Sequence, residues 1–84
     1  MNYIISKHCY EQIKLRAINV EEIDLVLKNP DNILKQDNNI AVYQALNENK
    51  NYLFRIFVNI KKQPKLVVTA YKTSKISKYY EDKI

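Results

Sequence analysis

Apolar residues in the first thirty positions recur at helical spacing, and beyond Pro30 they alternate with polar ones, so the chain divides into a helical part and a strand-rich part. Tyr3, Ile4 and Ile5 read as a short opening strand. Ser6 then stands as N-cap for a first helix of about Lys7 to Leu15, with Cys9, Ile13 and Leu15 directed inward. Asn19 followed three residues later by Glu22 has the form of a capping box, and Val20, Ile23, Val26 and Leu27 repeat behind it at helical spacing. Proline disfavours helix in the residue before it, so this second helix ends near Asn29. The short link from Ala17 to Asn19 makes the pair a helical hairpin.

Four strands are expected beyond it: Asn32 to Gln36, Ile40 to Leu46, Tyr52 to Ile60 and Leu66 to Thr73. Turn-forming stretches separate the four, at Asp37-Asn38-Asn39, at Asn47 to Asn51, and at Lys61 to Lys65 around Pro64. Connections this short join antiparallel neighbours into a meander. In the strand from Tyr52, residues Phe54, Ile56, Val58 and Ile60 share one side, with Leu53, Arg55, Phe57 and Asn59 on the other. In the last strand, strict alternation sets Leu66, Val68 and Ala70 against Val67, Thr69, Tyr71 and Thr73. The more aliphatic side is expected to lie under the helices, leaving Arg55, Thr69 and Tyr71 on the opposite side. The tail from Ile76 to Ile84, basic and aromatic through Lys78, Tyr79 and Tyr80, is compatible with a short helix. The expected fold class is α+β, a two-helix hairpin packed on a four-stranded antiparallel sheet, in a single domain of residues 1–84.

Composition narrows the function classes. No stretch approaches the roughly 20 apolar residues of a membrane span. Met-Asn-Tyr-Ile-Ile-Ser-Lys lacks the form of a signal peptide, so a cytoplasmic protein without membrane partners is expected. Cys9 is the only cysteine, and on a helix it points about 100° away from its neighbour His8, so the two cannot share a metal ion. The carboxylates show no spacing that suggests a metal nuclease, and a chain without glycine has no nucleotide-binding glycine loop, so neither metal nor cofactor is expected. A net charge of +5, with a pI near 9.3, favours anionic partners, nucleic acid first. Most of that charge is lysine in a chain rich in Asn, Ile, Lys and Tyr, a bias that a skewed base composition in the gene also produces.

His8, the only histidine, is followed at helical spacing by Gln12 and Arg16, so the three share one face of the first helix. If Ser6 caps that helix, His8 lies in its first turn, where free backbone N–H groups and the positive end of the dipole attract anions. RNA can be cleaved without a metal when the 2′-hydroxyl loses its proton, cations stabilise the phosphorane, and the departing 5′-oxygen receives a proton. His8 suits proton transfer, and Arg16 and Arg55 suit phosphate, whose oxygens a guanidinium grips in a bidentate way. Tyr71 can donate a proton or a hydrogen bond, and Thr69 can position a phosphate oxygen, with Gln12, Lys72 and Lys75 as further substrate contacts. Each has a structural alternative. Arg55 can pair with an acidic neighbour, Thr69 and Tyr71 are ordinary strand residues, and the seven tyrosines can serve the core and its rim as well as stack on bases.

The order of motifs carries a resemblance. Ser6-Lys7-His8-Cys9-Tyr10-Glu11-Gln12-Ile13-Lys14-Leu15-Arg16-Ala17-Ile18, then Glu21-Glu22-Ile23 and Leu27-Lys28-Asn29-Pro30-Asp31, then Leu53 to Val58 and Val67 to Tyr71, resembles the domain-of-unknown-function family DUF4258. The resemblance implies a fold similar to the RelE-like ribonuclease toxins and the related barnase, EndoU and colicin nucleases. It also implies a metal-independent endoribonuclease, the toxin of a toxin–antitoxin pair, with RNA as substrate and an acidic antitoxin from a neighbouring gene as partner. Carried over residue by residue, it places His8 and Arg16 on the helix, Arg55 on one strand, and Thr69 and Tyr71 on the next. Two positions depart from the family pattern: Gln12 stands where arginine is usual, removing one phosphate-binding charge, and Ala17 replaces the glycine that ends the first helix. The alternative expectation is a non-catalytic RNA-binding or protein-interaction module of the same fold.

Overall fold

The computed structural model describes residues 2–80; the part of the expected C-terminal segment beyond Tyr80 lies outside the described residues. In chain order the elements are β1 (Tyr3–Ile5), α1 (Lys7–Leu15), α2 (Val20–Lys28), β2 (Asn32–Lys35), β3 (Ile40–Leu46), β4 (Leu53–Asn59), β5 (Lys65–Thr73) and α3 (Ile76–Tyr79). The strands form one five-stranded sheet in the order β1-β5-β4-β3-β2, antiparallel except that β1 runs parallel to β5. This corrects the expected helical hairpin on a four-stranded antiparallel sheet: β1 joins the sheet at the far edge, beside the last strand in the chain, and the helices pack chiefly on the sheet, α1 on β5 and α2 on β3 and β4, rather than on each other. A parallel neighbour needs a long crossover, and here that crossover is most of the molecule.

Local sequence sets the helices. The Ser6 hydroxyl accepts the backbone N–H of Cys9 at 3.1 Å, and Asn19 and Glu22 complete a reciprocal capping box. Helix α1 ends in a Schellman turn: the N–H of Ile18 donates to the carbonyl of Ile13 and that of Ala17 to Lys14, while Ile13 and Ile18 pack in the core. Ala17 fills the left-handed position of that turn, at φ 55°. A side chain in that region costs about 1–2 kcal/mol. Ala17→Gly is therefore expected to stabilise the protein by about 1 kcal/mol, read in thermal denaturation as a melting point higher by about 4–8 °C. An unchanged or lower melting point would show the turn to be unstrained.

Cys9, Ile13, Ile23 and Val26 of the helices meet Ala45, Phe54, Ile56, Val58, Val67 and Ala70 of the sheet in one core. Burying each larger side chain contributes about 1.5–3 kcal/mol. Leu15 is the exception among the residues of α1 expected in the core, 89% exposed. Two residues advance a helix by about 200°, which carries Leu15 to the side opposite Ile13.

Strand β5 departs from simple alternation. Val58 pairs with Val67 and Phe57 with Thr69, so Val68 is an extra residue with no partner on β4. This bulge inverts the parity expected for the start of the strand: Val67, not Val68, joins Ala70 in the core. Beyond the bulge, Thr69 and Tyr71 keep to the opposite face, in register with Phe57 and Arg55. That second face is partly covered as well, because α3 lies against it and Val42, Gln44 and Leu53 are buried there.

Candidate functional site

Helix α1 follows directly from β1 and packs on β5. The β1 ladder reaches only Val67, with one further bond from the Ser6 N–H to the Val67 carbonyl. Past that point Arg16 takes over the strand. Its Nη1 donates to the Ala70 carbonyl at 2.8 Å and to Thr69 Oγ1 at 3.4 Å, and the Thr69 hydroxyl in turn donates to Gln12 Oε1. A carbonyl that β1 does not reach is thereby satisfied by a side chain. Arg16 and Gln12, one helical turn apart, thus hold Thr69 between them.

Arg55 organises a second group on the same face of the sheet. Its Nε donates to Gln44 Oε1 and its Nη1 to the Tyr71 hydroxyl at 2.6 Å. The guanidinium lies 5.4 Å from the Phe57 ring, 5.7 Å from Tyr71 and 4.4 Å from Tyr79 of α3, where cation–π attraction applies. Phe57 and Tyr71 stack with centroids 6.0 Å apart. Gln44, fully buried, anchors the group by donating its Nε2 to Asn32 Oδ1 at 3.2 Å and to the Tyr79 carbonyl at 3.1 Å.

Thr69 and Tyr71 are two residues apart on one strand face, about 7 Å, so the two groups adjoin. His8 stands one helical turn before Gln12, a rise of about 6 Å. It is exposed, and among the described residues its side chain makes no hydrogen bond or ion pair. The structure therefore brings Arg16 to Thr69 and Gln12, and Arg55 to Tyr71, while His8 remains free at the head of the row. Lys72 falls on the other face: its Nζ donates to the Ala17 carbonyl at 3.3 Å and lies 5.4 Å from the Tyr52 ring. Lys75 begins the turn into α3, its N–H bonded to Thr73 Oγ1 at 3.0 Å, with its side chain exposed. Gln44 is the residue that sequence reasoning missed. Its signal was present: a polar residue between Val42 and Leu46 on one face of an apolar strand, opposite Arg55 once the β3–β4 register is known.

Among the described residues no three of His, Cys, Asp and Glu stand together as a metal ion would need. Burial pushes the Cys9 thiol up, against the nearby Arg16 charge, which leaves it a core thiol rather than a nucleophile. The other perturbed groups lie beside α2. Tyr3 donates its hydroxyl to Asp24 at 2.9 Å, and Lys28 pairs with the same carboxylate at 3.0 Å. Burial and the bond to Asp24 push the Tyr3 phenol up to about 12, while Lys28 and Tyr3 hold Asp24 below its ordinary range.

The signs of these shifts set two pH windows. The Tyr3 phenol keeps its proton longer in the fold than in the unfolded chain. Its contribution is therefore intact below about pH 10 and lost as pH rises toward about 12. Asp24 contributes above the ordinary carboxylate range, and that contribution disappears as pH falls through its depressed value. The stability gap between wild type and Tyr3→Phe, read from urea midpoints, is expected to narrow above about pH 10. The gap to Asp24→Asn is expected to narrow in acid. A gap independent of pH would show that the contact does not couple to folding.

Two helices on one face of a mixed sheet, with polar side chains gathered from α1 across β5 to β4, define a small α+β protein with a candidate site at that strand. The chain belongs to the family described as Domain of unknown function (DUF4258), which matches residues 5–72. The match runs from the end of β1 to the penultimate residue of β5 and stops short of α3. No curated protein and no solved structure matches the chain. Among the described residues, no helix is long and apolar enough to cross a membrane.

Proposed function

We propose that the protein is a metal-independent endoribonuclease, a cytoplasmic toxin similar to the RelE-like ribonucleases and held in check by an acidic antitoxin from a neighbouring gene. The observation that carries this reading is the row His8, Gln12, Thr69, Tyr71, Arg55, with a free imidazole at its head. His8 takes the proton of the 2′-hydroxyl, whose oxygen attacks the adjacent phosphorus. The bond from phosphorus to the 5′-oxygen breaks, and a 2′,3′-cyclic phosphate remains. Tyr71 supplies the proton to the departing oxygen. Its oxygen accepts from Arg55, so its own hydrogen stays available. Arg16 and Arg55 face the phosphate charge, and Gln12, Thr69 and Lys75 hold the strand, whereas Lys72, on the other face of the sheet, takes no part.

A second reading, a non-catalytic RNA-binding module, is favoured by the guanidinium bonds. Arg16 is committed to the Ala70 carbonyl and Arg55 to Gln44 and Tyr71, with the Tyr79 ring lying against the Arg55 guanidinium. Incubating the purified protein with single-stranded RNA in EDTA separates the two. Cyclic-phosphate products support the nuclease; salt-dependent binding without products supports the binding module. Failure to bind RNA at low salt rejects both in favour of a protein-interaction role. In cells, induced wild-type protein is expected to arrest growth and an Arg16→Ala variant of equal abundance is not. Equal arrest by both would remove Arg16 from the mechanism.

A further inference from the structure

A cavity of about 450 Å³ opens on the opposite side of the molecule from the Arg55 group, between the start of β1, the last turn of α2 and the start of β5. Leu27, Val58 and the half-buried ring of Tyr43 make an apolar floor. Around the rim stand Lys28, Asp24, Tyr3 and Lys65. The volume lies within the range of about 300–1,000 Å³ usual for small-molecule sites, and the lining is polar and apolar in nearly equal parts.

The polar groups are of two kinds. Asp24 is already paired with Lys28 and bonded by the Tyr3 hydroxyl, so it presents little free charge. Lys65 faces Tyr3 across the β1–β5 register and makes no ion pair among the described residues. Lys28 spends one donor on Asp24 and keeps the others. The rim thus carries a net positive charge, with ammonium donors on both sides of the opening. Tyr43 also lines the cavity, and its hydroxyl has no hydrogen-bond partner among the described residues, although its ring is packed against the core. A ligand suited to these groups has a compact anion for the two ammonium groups and a planar, part-polar body for the floor and the Tyr43 hydroxyl.

We propose that this cavity binds a nucleoside monophosphate, with its phosphate between Lys28 and Lys65 and its base over Leu27 and Val58 against Tyr43. The phosphate carries about −1.5 to −2 charge at pH 7, part of which Lys28 and Lys65 offset. This site is separate from the row on α1 and β5, and it does not depend on whether that row cuts RNA.

The test is a titration of the isotope-labelled full-length chain with the four nucleoside 5′-monophosphates, followed by NMR, with inorganic phosphate and adenosine as controls. At least one nucleotide is expected to give saturable shifts centred on Tyr3, Leu27, Tyr43 and Lys65, with phosphate and adenosine each binding at least about tenfold more weakly. Lys65 is exposed, so Lys65→Ala is expected to keep the fold and to weaken binding about tenfold, the loss of one charge-assisted contact. Tyr43→Phe keeps the ring and tests the hydroxyl alone, with a smaller loss expected. Equal binding of inorganic phosphate would reduce the cavity to a general anion site and overturn the proposal. Shifts centred on Arg55 and Tyr71, or no saturation by any nucleotide, would overturn it too.

Discussion

His8→Ala is expected to lower RNA cleavage by about 10²- to 10⁴-fold, the usual contribution of a positioned general acid or base, and to leave the melting temperature where it was. The second half of that expectation makes the first informative. The His8 side chain is exposed and, among the described residues, bonds to nothing, so its removal empties no cavity and orphans no partner. Loss of cleavage with an unchanged melt then reports chemistry alone. The same cannot be said of Arg16, whose removal also frees the Ala70 carbonyl. Cleavage by His8→Ala at the wild-type rate would take the imidazole out of the mechanism.

Gln44→Leu is expected to destabilise the fold by about 3 kcal/mol, a melting temperature lower by roughly 12–24 °C for a chain of this size. Leucine keeps nearly the same volume, so packing is conserved while every polar contact of the amide is lost. Arg55 Nε and the Tyr79 carbonyl are left without acceptor and donor on a covered part of the sheet, and orphaned groups of that kind, one of them charged, dominate the cost. Gln44→Glu retains an acceptor for Arg55 and is expected to recover part of the loss. The tyrosine signal in near-ultraviolet circular dichroism should weaken in Gln44→Leu as Tyr79 leaves Arg55. A melt within about 3 °C of wild type would mean that the amide does not anchor this face.

How much of this was legible beforehand varies from element to element. Helix α1 was read at its observed bounds, and the capping box of α2 was visible as Asn19 and Glu22, because caps and helical periodicity involve residues at most four apart. The side of β4 that faces the helices was also correctly read, since a strand without a bulge follows alternation. Alternation failed on β5, where the one extra residue at Val68 moved Val67 into the core. The candidate site was legible residue by residue but not as an arrangement. Gln12 and Thr69 meet across 57 positions of chain, and the arginines are held by groups that no local pattern connects to them.

By itself, the sequence determined which segments are helix and strand, where the helices begin and end, and which polar side chains stand out on them, because those properties depend on neighbours along the chain. Only the tertiary structure decided that β1 lies parallel to β5, that Arg16 completes the edge β1 leaves open, and that Gln44 and Tyr79 hold Arg55. The reason is physical: strand register and hydrogen-bond partners between distant segments are set by which arrangement buries the apolar faces while satisfying every covered polar group, and that condition applies to the folded chain as a whole.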